Sequence, residues 1–196
     1  GAPMPAAGVL QARVDALAAN PVLGPTVGIV VADRLTGEVL ATHLPDSPRV
    51  PASTAKLLTA TAALDTMDPQ TTLPTTVVAG AAANEIVLVG GGDMMLAAGA
   101  GDPSAVVGHA GMADLAAQVA KDLQLRGTTS VRLRVDDTLF SGPRVAPGWT
   151  AGEVNVGYVA PVAPLAVNIA KVRDGEYVPR VSDPALSAAT IFAKRL

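Results

Sequence analysis

Residues 49–57 read Arg-Val-Pro-Ala-Ser-Thr-Ala-Lys-Leu, and Lys56 is the only charged side chain between Arg49 and Asp65. Burial disfavours the charged form of lysine, so a lysine held among apolar groups can become a base near neutral pH. Ser53 stands three residues earlier, and residues at this spacing share one face of a helix. The Lys56 amine could therefore accept the proton of the Ser53 hydroxyl as that hydroxyl attacks a carbonyl carbon.

The same spacing has a simpler interpretation. Serine is common at the N-cap of a helix, where its hydroxyl accepts a hydrogen bond from an early backbone amide. Ser53 would then be an ordinary cap, and Lys56 would reach water along its methylene chain. Serine and lysine are frequent residues, so the pair by itself is weak evidence for chemistry.

The residues before Ser53 predict a β-hairpin that leads into a helix. β-branched residues dominate 26–33, and 38–43 can form the second strand. Gly37 supplies the positive φ that a short hairpin loop often needs. A proline-rich loop then carries the chain to a helix that opens at Ser53.

Together these features resemble the active-site region of the D-alanyl-D-alanine carboxypeptidase/endopeptidase family, the class C low-molecular-mass penicillin-binding proteins. The Ser-x-x-Lys pair is the arrangement that such serine enzymes use. Segments similar to other family landmarks follow in the same order, and the resemblance runs from about Val27 to Leu196. These segments are Leu88-Val-Gly-Gly-Gly-Asp93, Val135-Asp-Asp-Thr-Leu-Phe140, Pro147-Gly-Trp149, Gly157-Tyr-Val-Ala-Pro161 and Leu165-Ala-Val-Asn168.

The resemblance implies an α+β fold, an α/β sandwich of the serine DD-peptidase and β-lactamase type. Residues 1–74 would be the N-terminal part of the penicillin-binding catalytic domain. Residues 75–196 would belong to an inserted second α/β domain that is incomplete at its C-terminal end. The residues themselves place a boundary near Leu73-Pro74, where a strand-rich section begins.

The function implied by the resemblance is that of a serine DD-peptidase without a cofactor. It would cleave the terminal D-Ala-D-Ala bond of peptidoglycan stem peptides through an acyl-serine intermediate, and β-lactams would acylate it as covalent inhibitors. Cleavage of peptide cross-links is left open. Ser53 would be the nucleophile and Lys56 the base. The implied location is extracytoplasmic, in the periplasm or cell wall, with the protein soluble or loosely attached to a membrane.

Trp149 and Glu153 are further candidates that the resemblance suggests. Family members hold the amine of a diamino-acid stem peptide with an aromatic and an acidic residue after Pro-Gly-Trp. The alternative is that Trp149 packs at a domain interface and that Glu153 is solvated.

Two elements that complete the family's active site do not occur in this sequence. The Ser-x-Asn element is absent, because Ser182-Asp183-Pro184 has proline where the asparagine belongs and reads better as a helix start. No lysine is followed by Thr-Gly or Ser-Gly. We therefore expect the chain to be the N-terminal part of a larger protein, inactive alone and completed by further residues or a companion chain. Alternatives are a peptidoglycan-binding module without turnover and a β-lactamase-like hydrolase.

Composition excludes several other classes. The chain of 196 residues is 49% hydrophobic and 16% charged with a formal charge of -3, so it has no basic field to attract nucleic acid or anionic lipid. It has no cysteine, which excludes disulfides and thiolate chemistry. The uncharged stretch 154–170 contains two prolines and two asparagines, which argue against a membrane span. The Gly1-Ala2-Pro3 start suggests a mature or trimmed product.

The remaining patterns predict elements rather than sites. Asp136-Asp137 reads as a strand-end turn rather than a metal site, and the glycines at 90–92, 99 and 101 read as turns rather than a phosphate loop. His43 and His109 have no spacing that supports a Ser-His-Asp triad. Periodicity predicts a helix from Val9 to Asn20, strands over 75–78, 85–89 and 130–136, and helices over 112–125 and 185–196.

Overall fold

The computed structural model describes residues 5–196, so the Gly1-Ala2-Pro3 start lies outside the described residues. Contacts between Cα atoms divide the chain into two compact units, with the division between Pro69 and Gln70. Each unit contains both helices and strands, which makes the fold mixed α and β, as predicted. The assignment of the two parts to a catalytic domain and an inserted domain stays a prediction.

The first unit starts with a helix and a β-hairpin. The helix is α1 (Ala7–Ala18), and the antiparallel strands are β1 (Ile29–Ala32) and β2 (Val39–His43). Gly37 has φ 75°, and the Asp33 carboxylate accepts hydrogen bonds from the amides of Leu35 and Thr36 in the same turn. The predicted helix, the predicted hairpin and the role of its glycine are confirmed.

Helix α1 is fixed to the hairpin by one side chain. The Gln11 amide donates to the Thr42 carbonyl at 2.9 Å and accepts from the Thr42 amide at 3.1 Å, as a neighbouring strand would. Val14 of α1 and Ala41 of β2 are the buried residues of these two elements. The hairpin is therefore held in place before the chain reaches the Ser53 region.

The chain then forms a short 3-10 helix, Ala52–Ala55, that continues directly as α2 (Lys56–Thr66). The sequence predicts that the α-helix begins at Ser53. In the structure it begins three residues later, at Lys56. The Pro51 carbonyl accepts hydrogen bonds from both the amide and the hydroxyl of Thr54, which favours the tighter turn. None of the residues of α2 is buried.

The second unit is built on two small sheets. In the first sheet β3 (Thr76–Ala79) pairs antiparallel with β4 (Glu85–Val89), which pairs parallel with β6 (Arg132–Asp136). In the second sheet β5 (Asp93–Leu96) pairs parallel with β7 (Leu165–Val167). Parallel pairing requires a long crossover connection, and α3 (Met112–Leu125) lies in the one between β4 and β6.

Two short helices complete the second unit, α4 (Ala151–Val156) and α5 (Pro184–Ala193). The core of the unit lies where α3 and α5 meet the strands. Its buried members are all apolar, and several are alanines that allow close approach of the helices: Ile86, Leu88, Leu96, Met112, Ala116, Ala163, Leu165, Ala185, Ala188, Ala189 and Phe192.

The periodicity-based predictions for this unit are largely confirmed. Helix 112–125 and strand 85–89 have the bounds that the sequence predicts, and the other predicted elements differ only by a few residues at their ends. The stretch 154–170 forms the end of α4, a loop and β7. Within residues 5–196, no helix has the length and apolar character needed to cross a membrane.

Candidate active site

Ser53 and Lys56 are brought together by the 3-10 helix. Lys56 Nζ donates a hydrogen bond to Ser53 Oγ at 3.1 Å. The N-cap of this helix is Pro51, and no side chain caps it, so Ser53 is not the ordinary N-cap of the simpler interpretation. Ser53 Oγ instead accepts the hydrogen bond from the Lys56 amine.

The turn that carries Ser53 contains a strained residue. Ala52 has φ 45°, in the left-handed region that non-glycine residues rarely adopt. Such conformations cost of order 1–3 kcal/mol each and recur at functional sites, where surrounding contacts hold them. Here the two hydrogen bonds from Thr54 to the Pro51 carbonyl span Ala52 and Ser53. The strained residue thus directly precedes Ser53 in the chain.

The Lys56 side chain reaches water, one of the two alternatives that the sequence left open. Lys56 and Ser53 are exposed, and so are the neighbouring apolar side chains, with Leu57 68% and Leu58 76% accessible. Among the described residues Lys56 is therefore not held among apolar groups, because α2 buries none of its residues although its sequence is mostly apolar. The role of Lys56 as a base stays a prediction.

Trp149 and Glu153 lie in the second unit, at the start of α4. The Glu153 carboxylate accepts a hydrogen bond from the Thr150 amide, and the Thr150 hydroxyl accepts from the Glu153 amide, which is a capping box. Glu153 is half-buried and has a structural task, so it is not simply solvated. Trp149 is held by a 2.9 Å hydrogen bond from its amide to the Ala146 carbonyl, and its side chain is 49% exposed.

The other charged candidates are explained by local structure. Asp136 ends β6 and accepts hydrogen bonds from the hydroxyl and the amide of Thr138, which lower the pKa of the Asp136 carboxyl. This confirms the predicted strand-end turn. Asp183 is the N-cap of α5 and accepts from the Leu186 amide at 3.0 Å, with Pro184 in the first turn. The helix-start reading of that segment is confirmed.

The histidines and glycines take no part in a common site. His43 lies at the end of β2, and His109 lies in a loop before α3. Gly92 has φ 115° at the turn between β4 and β5, which agrees with the turn reading. Across residues 5–196, no group of three or more His, Asp or Glu side chains is placed to hold a metal ion.

A groove of about 560 Å³ lies in the second unit between the β3–β4 hairpin and α3. Its lining is about equally polar and apolar, with Val77, Leu115 and Val119 on the walls and Asp122 and Arg126 also lining it. None of the four predicted site residues contributes to it. Size alone therefore does not mark this groove as the site of chemistry.

Arg144 and Arg180 are two structurally important residues that no local sequence pattern marks. The Arg144 guanidinium bonds the carboxylates of Asp137 and Asp183, which are 7 residues before and 39 residues after it in the chain. Arg180 bonds backbone carbonyls at Gly157 and Ile169. Contacts over such separations follow from the fold and have no local sequence signature.

Comparison with known proteins supports the resemblance found in the sequence. The model of the D-Ala-D-Ala carboxypeptidase 3 (S13) family matches residues 10–195. The chain is 39% identical to carboxypeptidase Rv3627c of Mycobacterium tuberculosis over 196 residues, which cover 98% of the chain and 41% of that protein. It is 37% identical to carboxypeptidase DacB of Mycolicibacterium smegmatis over 198 residues, which cover all of the chain and 42% of that protein.

A third relative, a D-alanyl-D-alanine carboxypeptidase of an Actinomadura species, is 32% identical over 161 residues, 81% of the chain and 28% of that protein. The chain thus spans about two fifths of the length of the two mycobacterial relatives. No solved structure matches it significantly. The family model covers nearly the whole chain, so the protein belongs to the D-Ala-D-Ala carboxypeptidase 3 (S13) family.

Proposed function

We propose that the protein is a serine-type D-Ala-D-Ala carboxypeptidase that removes the terminal D-alanine from peptidoglycan stem peptides. The observation that carries this proposal is the 3.1 Å contact between Lys56 Nζ and Ser53 Oγ. Family membership indicates the bond that is cleaved, and the contact supplies a nucleophile beside a base. The serine mechanism is the part that the geometry adds.

In this mechanism, Ser53 Oγ attacks the carbonyl carbon of the penultimate D-alanine, and its proton passes to a neutral Lys56 amine. The tetrahedral intermediate collapses when the C–N bond breaks, and the leaving D-alanine amine takes a proton from Lys56. A water molecule then attacks the ester and restores the Ser53 hydroxyl.

The developing oxyanion needs hydrogen-bond donors. The Ser53 amide is suited to be one, because amides in the first turn of a helix have no acceptor within that helix. The second donor and the groups that bind the substrate carboxylate would come from Ser-x-Asn and Lys-Thr-Gly elements, which this sequence lacks. We therefore infer that 1–74 is the N-terminal part of a penicillin-binding catalytic domain, that 75–196 is part of an inserted domain, and that further residues or a companion chain complete the site.

Recognition of the stem peptide is assigned to Trp149 and Glu153. The capping hydrogen bond uses Oε2 of Glu153, and the other carboxylate oxygen makes no hydrogen bond to the described residues. That oxygen can accept from the ammonium group of a diamino acid, while the half-exposed indole of Trp149 offers a face to the same cation. A peptidoglycan substrate would place the protein in the periplasm or cell wall. β-Lactams would acylate Ser53 by the same first step.

The test is release of D-alanine from a peptide that ends in D-Ala-D-Ala, measured with the full-length protein. We expect turnover by the wild type and none by the Ser53→Ala variant, with both proteins folded by circular dichroism. A Ser187→Ala variant, in α5 of the second unit, serves as the matched control and should keep full activity. Equal D-alanine release by wild type and Ser53→Ala would rule out the proposed mechanism.

A further inference from the structure

Helix α4, which carries Glu153 and begins two residues after Trp149, is too short to be stable by itself. It has six residues, and isolated helices of that length are unstable in water. Its N-terminus is closed by the capping box between Thr150 and Glu153. Its position therefore depends on what holds its C-terminal end.

Arg180 holds that end with both its main chain and its side chain. The Arg180 amide donates to the Val154 carbonyl at 3.1 Å. Its Nη2 donates to the Gly157 carbonyl at 2.9 Å, in a partly buried contact. One residue thus binds two carbonyls of the last helical turn and cap of α4.

The same guanidinium also bonds a strained turn. Asn168, Ile169 and Ala170 are three consecutive non-glycine residues with φ between 47° and 57°, in the left-handed region. Such a run is unfavourable and persists only where other contacts impose it. Arg180 Nη1 approaches the Ile169 carbonyl at 3.4 Å, and the Val181 amide donates to the Ala170 carbonyl at 2.9 Å.

The backbone around Arg180 leaves α4 little freedom. Gly157 has φ 86°, and a Cβ at this position would lie 2.1 Å from the Val178 carbonyl oxygen. Tyr158, the next residue, packs edge-to-face on Tyr177 with ring centroids 5.6 Å apart. The end of α4 and the two residues after it are therefore contacted by Tyr177, Val178 and Arg180.

Arg180 forms no ion pair with a carboxylate within residues 5–196, and its hydrogen bonds go to backbone carbonyls. The planar guanidinium can bond two carbonyls in fixed directions, which a lysine ammonium on a flexible chain does less well. This use differs from that of Arg126, which pairs with Asp122 on the exposed surface of α3. Arg180 therefore links two backbone segments, the end of α4 and the 168–170 turn, through hydrogen bonds to their carbonyls.

We propose that Arg180 is a positioning residue for substrate recognition, which holds the Trp149–Gly157 segment so that Trp149 and Glu153 can bind the side-chain amine of the stem peptide. This inference rests on the proposed function. Arg180 does not touch the substrate itself. Its effect should be selective for peptides whose third residue carries a free amine.

The test compares two peptides ending in D-Ala-D-Ala that differ only in acetylation of that amine, with the full-length protein and its Arg180→Met, Arg180→Lys and Arg126→Met variants. Arg180→Met should lower kcat/KM for the free-amine peptide about tenfold to a hundredfold, since small displacements of a positioning group have effects of that size. The loss should lie mainly in KM, because the contact forms on binding. For the acetylated peptide the change should be less than about twofold by the same reasoning.

The kcat/KM of Arg180→Lys for the free-amine peptide should lie between those of wild type and Arg180→Met. The kcat/KM of Arg126→Met should match that of the wild type.

Hydrogen exchange provides a second measurement that does not depend on turnover. Arg180→Met should accelerate exchange of the Gly157 and Tyr158 amides, which bond the Glu153 carbonyl, and leave α3 unchanged.

Equal loss of kcat/KM for both peptides would show a general structural role and overturn the inference. So would wild-type kinetics and exchange in Arg180→Met. In both cases the wild type still releases D-alanine, and the proposed function stands. If the wild type cleaves neither peptide, the proposed function is wrong, and so is the role of Arg180 as a positioning residue for substrate recognition.

Discussion

At the scale of single residues, the Ser53–Lys56 pair owes its geometry to the type of helix around it. A 3-10 helix has three residues per turn, so side chains at positions i and i+3 lie directly above one another. In an α-helix the same spacing leaves them offset around the axis. Because the α-helix begins only at Lys56, Ser53 and Lys56 meet at 3.1 Å. The 3-10 turn is therefore what brings the two side chains of the Ser-x-x-Lys motif into contact.

Replacing Lys56 tests whether it acts as the base. We expect Lys56→Met to slow acylation of Ser53 by a penicillin by about a hundredfold to ten-thousandfold, the usual contribution of a general base. Lys56→Arg should not restore the rate, because a guanidinium stays protonated and cannot accept the proton. The acylation rate is measured on the full-length protein by quenching the reaction at a series of times and determining the fraction of adduct by mass spectrometry. Lys121→Met, at an exposed position of α3, is the matched control, and wild-type rates in Lys56→Met would contradict the assignment.

Asp33 gives a prediction on pH. Hydrogen bonds from the Thr36 amide, the Thr36 hydroxyl and the Leu35 amide lower the pKa of the Asp33 carboxyl below its ordinary value of 3.8. A lowered folded-state pKa adds stability that is present above the ordinary value and is lost as the pH falls through the lowered one. The hairpin should thus lose stability below about pH 4, by this linkage.

The comparison is with Asp33→Asn, which keeps an acceptor of the same shape without the charge. Hydrogen exchange of the hairpin amides between pH 6 and pH 2 would report the difference between the two proteins. That difference should be constant near neutral pH and should shrink in acid. A difference that is independent of pH over this range would show that the carboxylate charge contributes nothing to the turn.

The sequence could predict residues whose partners are close by in the chain. Ser53 and Lys56 are three residues apart, and Thr150 and Glu153 have the same separation, so their contacts follow from local geometry. Arg180 is different, since its carbonyl partners at Gly157 and Ile169 are set by how loops cross in the folded unit. For Lys56 the sequence left two alternatives open, exposure or burial, because an apolar run predicts a helix but not what covers it.

At the scale of elements, periodicity succeeded where an element is long and bounded by glycine. Helix α3 has 14 residues between Gly111 at its N-cap and Gly127 shortly after its end, and its prediction is confirmed residue for residue. Strands β5 and β7 were not predicted, since they have four and three residues and pair across a long connection. Short elements of this kind are decided by tertiary contacts and not by local pattern.

Asp183 is the element-scale test, because it both caps α5 and pairs with Arg144. We expect Asp183→Ala to lower the free energy of unfolding by about 1–2 kcal/mol, the sum of a lost N-cap and a partly exposed ion pair. Asp183→Asn keeps a good capping residue and should lose less than half of that amount. Urea unfolding of the full-length protein measures both. An alanine variant as stable as wild type would mean that the cap does not stabilise α5.

At the scale of the whole molecule, the two units differ in what they bury. The second unit has a core of eleven buried residues around Phe192. In the first unit, Val14 and Ala41 are buried, and α2 buries none of its residues. Family membership follows from a match over nearly the whole chain, whereas the chain spans about two fifths of its mycobacterial relatives. The activity is therefore proposed for the complete protein and tested there.

Ser53 as the nucleophile is tested most directly by intact-mass spectrometry of the full-length protein after incubation with a penicillin, followed by peptide mapping of the adduct. We expect a single penicilloyl adduct on the peptide that contains Ser53, absent in Ser53→Ala and formed much more slowly in Lys56→Met. An adduct on another residue, or no adduct on folded protein that still releases D-alanine, would contradict the assignment of Ser53 as the nucleophile.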